Sequence, residues 1–264
     1  MSGRSGCRRA AVLFLVFFVL SLAAPLSAAS LVETVAVVRP AIVAVGSYRL
    51  RRAPPSHYLG TGFVIGDGRH CLTNAHVVAA VVDHAEGNEG VLSIYARAGE
   101  GASRRAARVV GRDDDHDLAL IAFDGPPLPT LRLGDSRTVA EGEAVAITGF
   151  PIGMVLGLHP ATHRGIVAAV VPITDPALSS RRLTGRRIRQ LRHPFRIFQL
   201  DLTAYPGNSG SPLYRPADGA VIGVINAVFA KGGKESALTH PSGITYAIPI
   251  HLALELLKEA GIKP

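Results

Sequence analysis

Gly207-Asn208-Ser209-Gly210-Ser211-Pro212 is the stretch on which the reading of this 264-residue chain turns. Glycines on both sides let the backbone make a tight turn that leaves the serine hydroxyl exposed. The neighbouring N–H groups can then converge on a developing oxyanion. By itself such a hexapeptide is any glycine-rich turn between strands. Upstream, however, stand Thr73-Asn74-Ala75-His76-Val77-Val78 and His116-Asp117-Leu118-Ala119-Leu120-Ile121. Histidine, aspartate and serine thus follow one another in one of the chain orders known for a Ser-His-Asp triad.

The surroundings of each residue fit a role. His76 follows a β-type run and precedes Val77-Val78-Ala79-Ala80, which can form one helical turn. Asp113, Asp114 and Asp115 read as a solvated turn. Asp117 differs from them because an apolar run continues it, so its carboxylate is expected to be buried at a strand start. In the chemistry these positions suggest, His76 takes the proton from Ser209 Oγ as it attacks a carbonyl, then passes it to the leaving group. Asp117 holds the imidazole in the needed tautomer and stabilises the imidazolium. Gly207, Asn208 and Ser209 form the oxyanion hole, with the N–H groups of Gly207 and Ser209 as donors worth roughly 3 kcal/mol each.

Working outward, the chain is a series of short β-type runs separated by turn residues. Ala41 to Val45, Gly62 to Ile65, Val91 to Tyr95, Ala107 to Val110 and Leu118 to Phe123 make up the first half. Gly66-Asp67-Gly68 is a tight-turn signal leading toward His76. Asp124-Gly-Pro-Pro-Leu-Pro-Thr130 reads as an extended linker. Ala144 to Thr148, Gly165 to Val171, Ile197 to Leu202, Ser211 to Tyr214, Ala220 to Val228 and Ile244 to Ile248 follow. Only Leu252 to Glu259 has helical spacing, ending at Gly261. The pattern predicts an all-β protein of two barrel-like units closed by a short C-terminal helix.

Arg4, Arg8 and Arg9 precede an apolar run of 14 residues, Ala11 to Ala24, and Ser27-Ala28-Ala29 offers small residues for cleavage. This predicts a signal peptide over 1–29 and an exported, soluble mature protein; the alternative is an uncleaved membrane anchor. Cys7 falls in that segment, which leaves Cys71 without an intramolecular partner and expected as a core thiol. The chain is basic, at +8. No acidic residue separates Asp175 from Asp201, a stretch holding Arg181, Arg182, Arg186, Arg187, Arg189, Arg192 and Arg196. Such a run reads as a solvated loop or as a surface for anionic lipid or lipopolysaccharide. No nucleic-acid reader motif is recognisable. The ten histidines are scattered, with no zinc-site spacing, so neither a metal nor a cofactor is expected.

Taken together, these motifs resemble the chymotrypsin-fold serine endopeptidases, most of all the bacterial HtrA/Deg branch. The resemblance rests on Gly60-Thr-Gly-Phe-Val-Ile65, the His76 and Asp117 stretches, Gly207-Asn-Ser-Gly210, Val221-Ile-Gly223 and Tyr246-Ala-Ile-Pro249. It implies two six-stranded antiparallel β-barrels with the site in the cleft between them: 30–126 carrying His76 and Asp117, 127–249 carrying Ser209, and a C-terminal helix over 250–264. It also implies that Thr203 lies near the base of the S1 pocket. Ile225, Asn226, Ala227 and Val228 would form the pocket wall and pair with substrate backbone. That mainly apolar wall suggests a small or medium aliphatic residue before the scissile bond.

The chain departs from the branch in three places. Ser211 stands where Ser-Gly-Gly usually continues, as in the staphylococcal glutamyl endopeptidases. Those enzymes use a wall histidine for acidic substrates, and Ile225 stands at the matching position here. About 15 residues follow Pro249, which leaves no room for a PDZ domain. The arginine run occupies the place of an activation loop. The expected function is hydrolysis of unfolded or envelope proteins through an acyl-enzyme at Ser209. The alternative is a latent or non-cutting peptide-binding or chaperone module governed by the arginine-rich loop.

Overall fold

Short turns set the strand order. Gly66 and Gly68 take positive φ (62° and 78°), and Gly68 N–H donates to Ile65 O at 3.2 Å, folding the chain back on itself within three residues. Asp67 closes the same turn by accepting from Arg69 N–H at 2.9 Å. The result is a hairpin of β2 (Ser56–Ile65) and β3 (His70–Thr73) in which Ile65 faces His70. With β1 (Ile42–Tyr48), β4 (Val91–Ala98), β5 (Gly101–Asp113) and β6 (Leu118–Phe123) it closes a barrel in the order β1-β2-β3-β6-β5-β4.

The second half repeats the arrangement. β7 (Ala144–Gly149), β8 (Ala161–Pro172), β9 (Arg196–Asp201), β10 (Pro212–Tyr214), β11 (Val221–Asn226) and β12 (Ile244–Pro249) close a second six-stranded barrel in the order β10-β11-β12-β9-β8-β7. All the strand pairs are antiparallel. The fold is therefore the two-barrel arrangement expected from the strand pattern, in the chymotrypsin-like form that the motif resemblance implied. This computed structural model describes residues 29–83, 90–99, 101–151, 158–173, 194–226 and 244–263. The signal segment through residue 28, the arginines from Arg181 to Arg192, and Ala227 and Val228 lie outside them.

Among the described residues, three α-helices accompany the barrels: α1 (Leu31–Val38), α2 (Ala75–Val82) and α3 (Leu254–Glu259). α1 begins with a capping box in which Ser30 Oγ accepts from Glu33 N–H and Glu33 reaches back to Ser30 N–H. It crosses to the second barrel, where Thr34 Oγ1 donates to Pro216 O at 2.6 Å. α3 follows the second barrel in sequence but packs on the first. Leu256 lies against Gly111, where any added Cβ would sit 2.8 Å from Leu256 Cδ1.

Between the barrels lies a single apolar cluster drawn from both: Phe63, Leu72, Leu118 and Leu120 from the first, Ala146, Tyr214, Val224 and Ile248 from the second, and Leu256 and Leu257 from α3. Each large side chain buried there contributes about 1.5–3 kcal/mol. That packing locks the two halves of the cleft together. The linker adds to it, since Leu128 N–H donates to Gly68 O at 2.8 Å and Leu131 N–H to Val64 O at 2.9 Å. Cys71 is fully buried beside Gly62, and burial pushes its thiol pKa well above the usual range, so it is an inert core group.

Candidate active site

β3 delivers the chain into α2, and Asn74 at the helix N-cap has extended backbone (ψ 150°). His76 is the second residue of the helix, so its N–H has no intrahelical acceptor. Asp117 supplies one. Its Oδ1 accepts from His76 N–H at 2.9 Å, and its Oδ2 lies 2.7 Å from His76 Nδ1. A carboxylate can only accept, so Nδ1 carries the proton and Nε2 presents a lone pair to the cleft. Asp117 is almost entirely buried, at 4% side-chain exposure, against 30% for His76.

The turn that aims Asp117 is built for the purpose. Asp117 has φ 57°, the sole non-glycine positive φ among the described residues. This left-handed backbone is costly for a residue with a Cβ, so surrounding bonds must hold it. They do: Asp117 O accepts from Ala75 N–H and from Asn74 Nδ2, both at 3.1 Å. The acidic residues before it are not a simple solvated turn. Asp113 accepts from His116 N–H at 3.0 Å and pairs with His116 Nδ1 at 2.6 Å. Burial raises the Asp113 pKa, but these bonds outweigh it and hold the carboxyl below its ordinary value. Asp114 pairs with Arg112, which also grips Asp83. Asp113 and Asp114 are thus engaged by neighbouring side chains, His116 and Arg112.

Ser209 stands in the turn between β9 and β10, with Gly207 at φ 100° and Gly210 at φ 87°. The Gly60-Thr61-Gly62 stretch of the first barrel holds this turn. Thr61 N–H donates to Ser209 O at 2.8 Å, and Thr61 Oγ1 donates to Gly207 O at 2.7 Å. A Cβ at Gly210 would sit 2.0 Å from Thr61 O, so only glycine allows the two barrels to meet there. Ser209 itself is 6% exposed. Among the described residues no hydrogen bond joins its hydroxyl to His76.

The backbone donors of the turn divide in two. Asn208 N–H donates to Tyr205 O at 3.0 Å, Gly210 N–H to Ile225 O at 2.9 Å, and Ser211 N–H to Asn208 O at 2.9 Å. Asn208 is thus not an oxyanion donor, because its N–H is already spent on the turn. The N–H groups of Gly207 and Ser209 find no acceptor among the described residues. The side chains of Asn208 and Ser211 are fully buried, and Asn208 Oδ1, Asn208 Nδ2 and Ser211 Oγ have no hydrogen-bond partner among the described residues.

Two of the four expected wall residues, Ile225 and Asn226, are described, and both are engaged within the protein. Ile225 is wholly buried in the second barrel's core, and its N–H and C=O bond to Ser211 O and Gly210 N–H, so its backbone is not offered to a substrate. Asn226 is 2% exposed and donates from Nδ2 to Asp117 Oδ2 at 2.7 Å. It serves the aspartate, a role the sequence reading missed. Thr203 is half-buried in the loop leading to Tyr205. Of the expected anion-binding arginines, Arg196 is described, and it donates to Val170 O across the β8–β9 hairpin.

Residues 60–224 match the trypsin-like peptidase domain, an interval that contains His76, Asp117 and Ser209. The chain belongs to the trypsin-like peptidase family. Among curated relatives, this trypsin-like peptidase is 34% identical over 198 residues to a probable periplasmic serine endoprotease DegP-like of Halomonas elongata, covering 75% of this chain and 34% of that protein. It is 34% identical over 207 residues to the counterpart in Pseudomonas putida W619, covering 77% and 35%. The peptidase thus spans about a third of the length of these relatives. Its fold is similar to the HtrA-type protease AlgW solved with a tripeptide (TM-score 0.63, 26% identity, 88% of this chain and 63% of that one). It is also similar to a serine endoprotease from Yersinia pestis (TM-score 0.60, 26% identity, 88% and 66%). These matches place the peptidase in the HtrA-like branch anticipated from its motifs.

Proposed function

We propose that this chain is an exported serine endopeptidase that hydrolyses unfolded or envelope proteins through His76, Asp117 and Ser209. The observation that carries the reading is the pair of bonds from Asp117 to the ring and backbone of His76, which fixes both the tautomer and the position of the imidazole. His76 Nε2 takes the proton of Ser209 Oγ as that oxygen attacks the scissile carbonyl, and the imidazolium is stabilised by the buried Asp117. The oxyanion forms at the N–H groups of Gly207 and Ser209, which find no acceptor among the described residues. His76 then protonates the leaving amine, and water releases the acyl group by the reverse sequence. Periplasmic location is supported by the names of the relatives and by the leader-like first 29 residues.

The missing Ser209–His76 hydrogen bond favours a second reading, a resting state that becomes competent only with substrate bound. Catalytic bonds of this kind often tighten only in the substrate complex. Purified mature protein should degrade an unfolded protein such as casein, and Ser209→Ala should lose several orders of magnitude in rate. Equal turnover by both proteins rejects the endopeptidase reading. A lag abolished by added peptide identifies the resting state.

A further inference from the structure

We propose that His163 reads the substrate side chain preceding the scissile bond, through a hydrogen bond from its buried imidazole Nε2, and selects an uncharged polar residue such as glutamine, asparagine or threonine. The inference rests on the endopeptidase reading above and assigns specificity to that same site.

The register of the second barrel aims His163 inward. It pairs with Ile147 across β7 and β8, and Gly165 pairs with Val145 two residues on. Ile147, Val145 and Val167 all belong to the barrel's buried core, so the alternating series His163, Gly165, Val167 lies on the interior face. His163 is the member of that series nearest the serine turn. Gly149, two residues beyond Ile147 on β7, already lies against Ser211 and Asn208. The His163 ring sits 5.8 Å from that of Tyr205, tilted by 49°, and Tyr205 is four residues before Ser209.

The barrel core onto which this face opens is apolar: Ile147, the cross-strand partner of His163, packs there with Leu202 and Ile225, and Ala204 lies against them. In that setting His163 Nε2 is buried and has no hydrogen-bond partner among the described residues. A buried imidazole nitrogen left unpaired costs about 1–3 kcal/mol. A substrate side chain entering beside the Thr203 to Gly207 loop removes that cost by bonding to it. Burial also holds the His163 pKa below its ordinary value, so near neutral pH the ring is uncharged. Recognition therefore runs through a hydrogen bond and not through an ion pair, which favours amide and hydroxyl side chains over carboxylates. A wall histidine is thus supplied by β8, although Ile225 occupies the position suggested by the glutamyl endopeptidases.

The test compares the full mature protein with His163→Leu and His163→Gln on a peptide series varied only at the residue before the scissile bond. His163→Leu should lower kcat/KM for glutamine and threonine by about ten- to a hundredfold and leave leucine and valine unchanged or improved. His163→Gln, which keeps a hydrogen-bonding group, should recover part of the loss. An aliphatic preference in the wild type, or the same profile in the wild type and His163→Leu, overturns the proposal while leaving the endopeptidase reading intact. A second readout needs no turnover: peptides ending in glutamine should shift the His163 imidazole nitrogen resonances, and peptides ending in leucine should not. Identical spectra with both peptides also overturn it.

Discussion

Asn226 donates its side-chain amide to Oδ2 of Asp117 at 2.7 Å, the same oxygen that faces His76 Nδ1. One residue comes from the last but one strand of the second barrel and the other from the first barrel, so the bond spans the cleft. The position of the aspartate therefore depends on how the two barrels dock. Asn226→Ala removes one charge-assisted bond and should lower kcat by roughly ten- to a hundredfold with little change in KM. Asn226→Asp sets a second carboxylate beside Asp117, and like charges raise carboxyl pKa values. Its kcat/KM profile should lose activity at higher pH on the acidic side than the wild type does, which a rate measurement from pH 5 to about pH 9 checks.

Gly149 and Ser211 should prove coupled. An alanine Cβ at 149 would fall 2.0 Å from Ser211 Oγ and 2.9 Å from Asn208 Oδ1. Gly149→Ala is expected to cost about 1–3 kcal/mol by overpacking. Ser211→Ala removes a buried hydroxyl without a partner and should be neutral or stabilising. In Gly149→Ala combined with Ser211→Ala, much of the first loss should return, and denaturant midpoints across the four proteins read the coupling.

His251 makes stability sensitive to mild acid. Its N–H donates to Ser136 Oγ at 3.0 Å, and its Nδ1 lies 2.7 Å from the same oxygen. Burial lowers the His251 pKa, and Arg137 and His116 lower it further, against a smaller opposing effect of Asp135. A group with a depressed folded pKa binds more protons when unfolded. Its stabilising effect is full above the unfolded value of about 6.5 and is lost as pH falls through the folded value. Melting temperature should therefore drop below about pH 6.5, and His251→Gln should flatten that part of the curve.

Leu256 ties the C-terminal helix to the first barrel through Gly111. It is 6% exposed and belongs to the cluster shared by both barrels. Leu256→Ala should cost about 2–5 kcal/mol. Because the side chain touches one barrel and is carried by the other half of the chain, the loss should appear in a single transition followed by both fluorescence and circular dichroism. Separate transitions for the two halves would contradict this.

The strands were legible because alternation and turn residues are local. Gly66-Asp67-Gly68, the run into His76 and the Leu118–Phe123 strand all carry their own signals. The motifs around His76, Asp117 and Ser209 were legible because their chemistry demands particular residue types. Much of what escaped was long-range or depended on local orientation. α1 hid behind the apolar leader although Ser30 and Glu33 spell a capping box. Asn226 was read as pocket wall, since its bond to Asp117 exists only once both barrels close and dock. His163 belongs to no motif, and only the β7–β8 register turns it inward. Asp113 looked solvated because its partner His116 is a neighbour whose orientation depends on the turn.

The most direct measurement of the central claim is covalent labelling of the mature protein with a fluorophosphonate, followed by peptide mapping in the presence of an unfolded substrate. The account predicts a single adduct, on Ser209, forming at least about a thousandfold more slowly in His76→Ala. No adduct on Ser209, or an equal rate of labelling in His76→Ala, contradicts it.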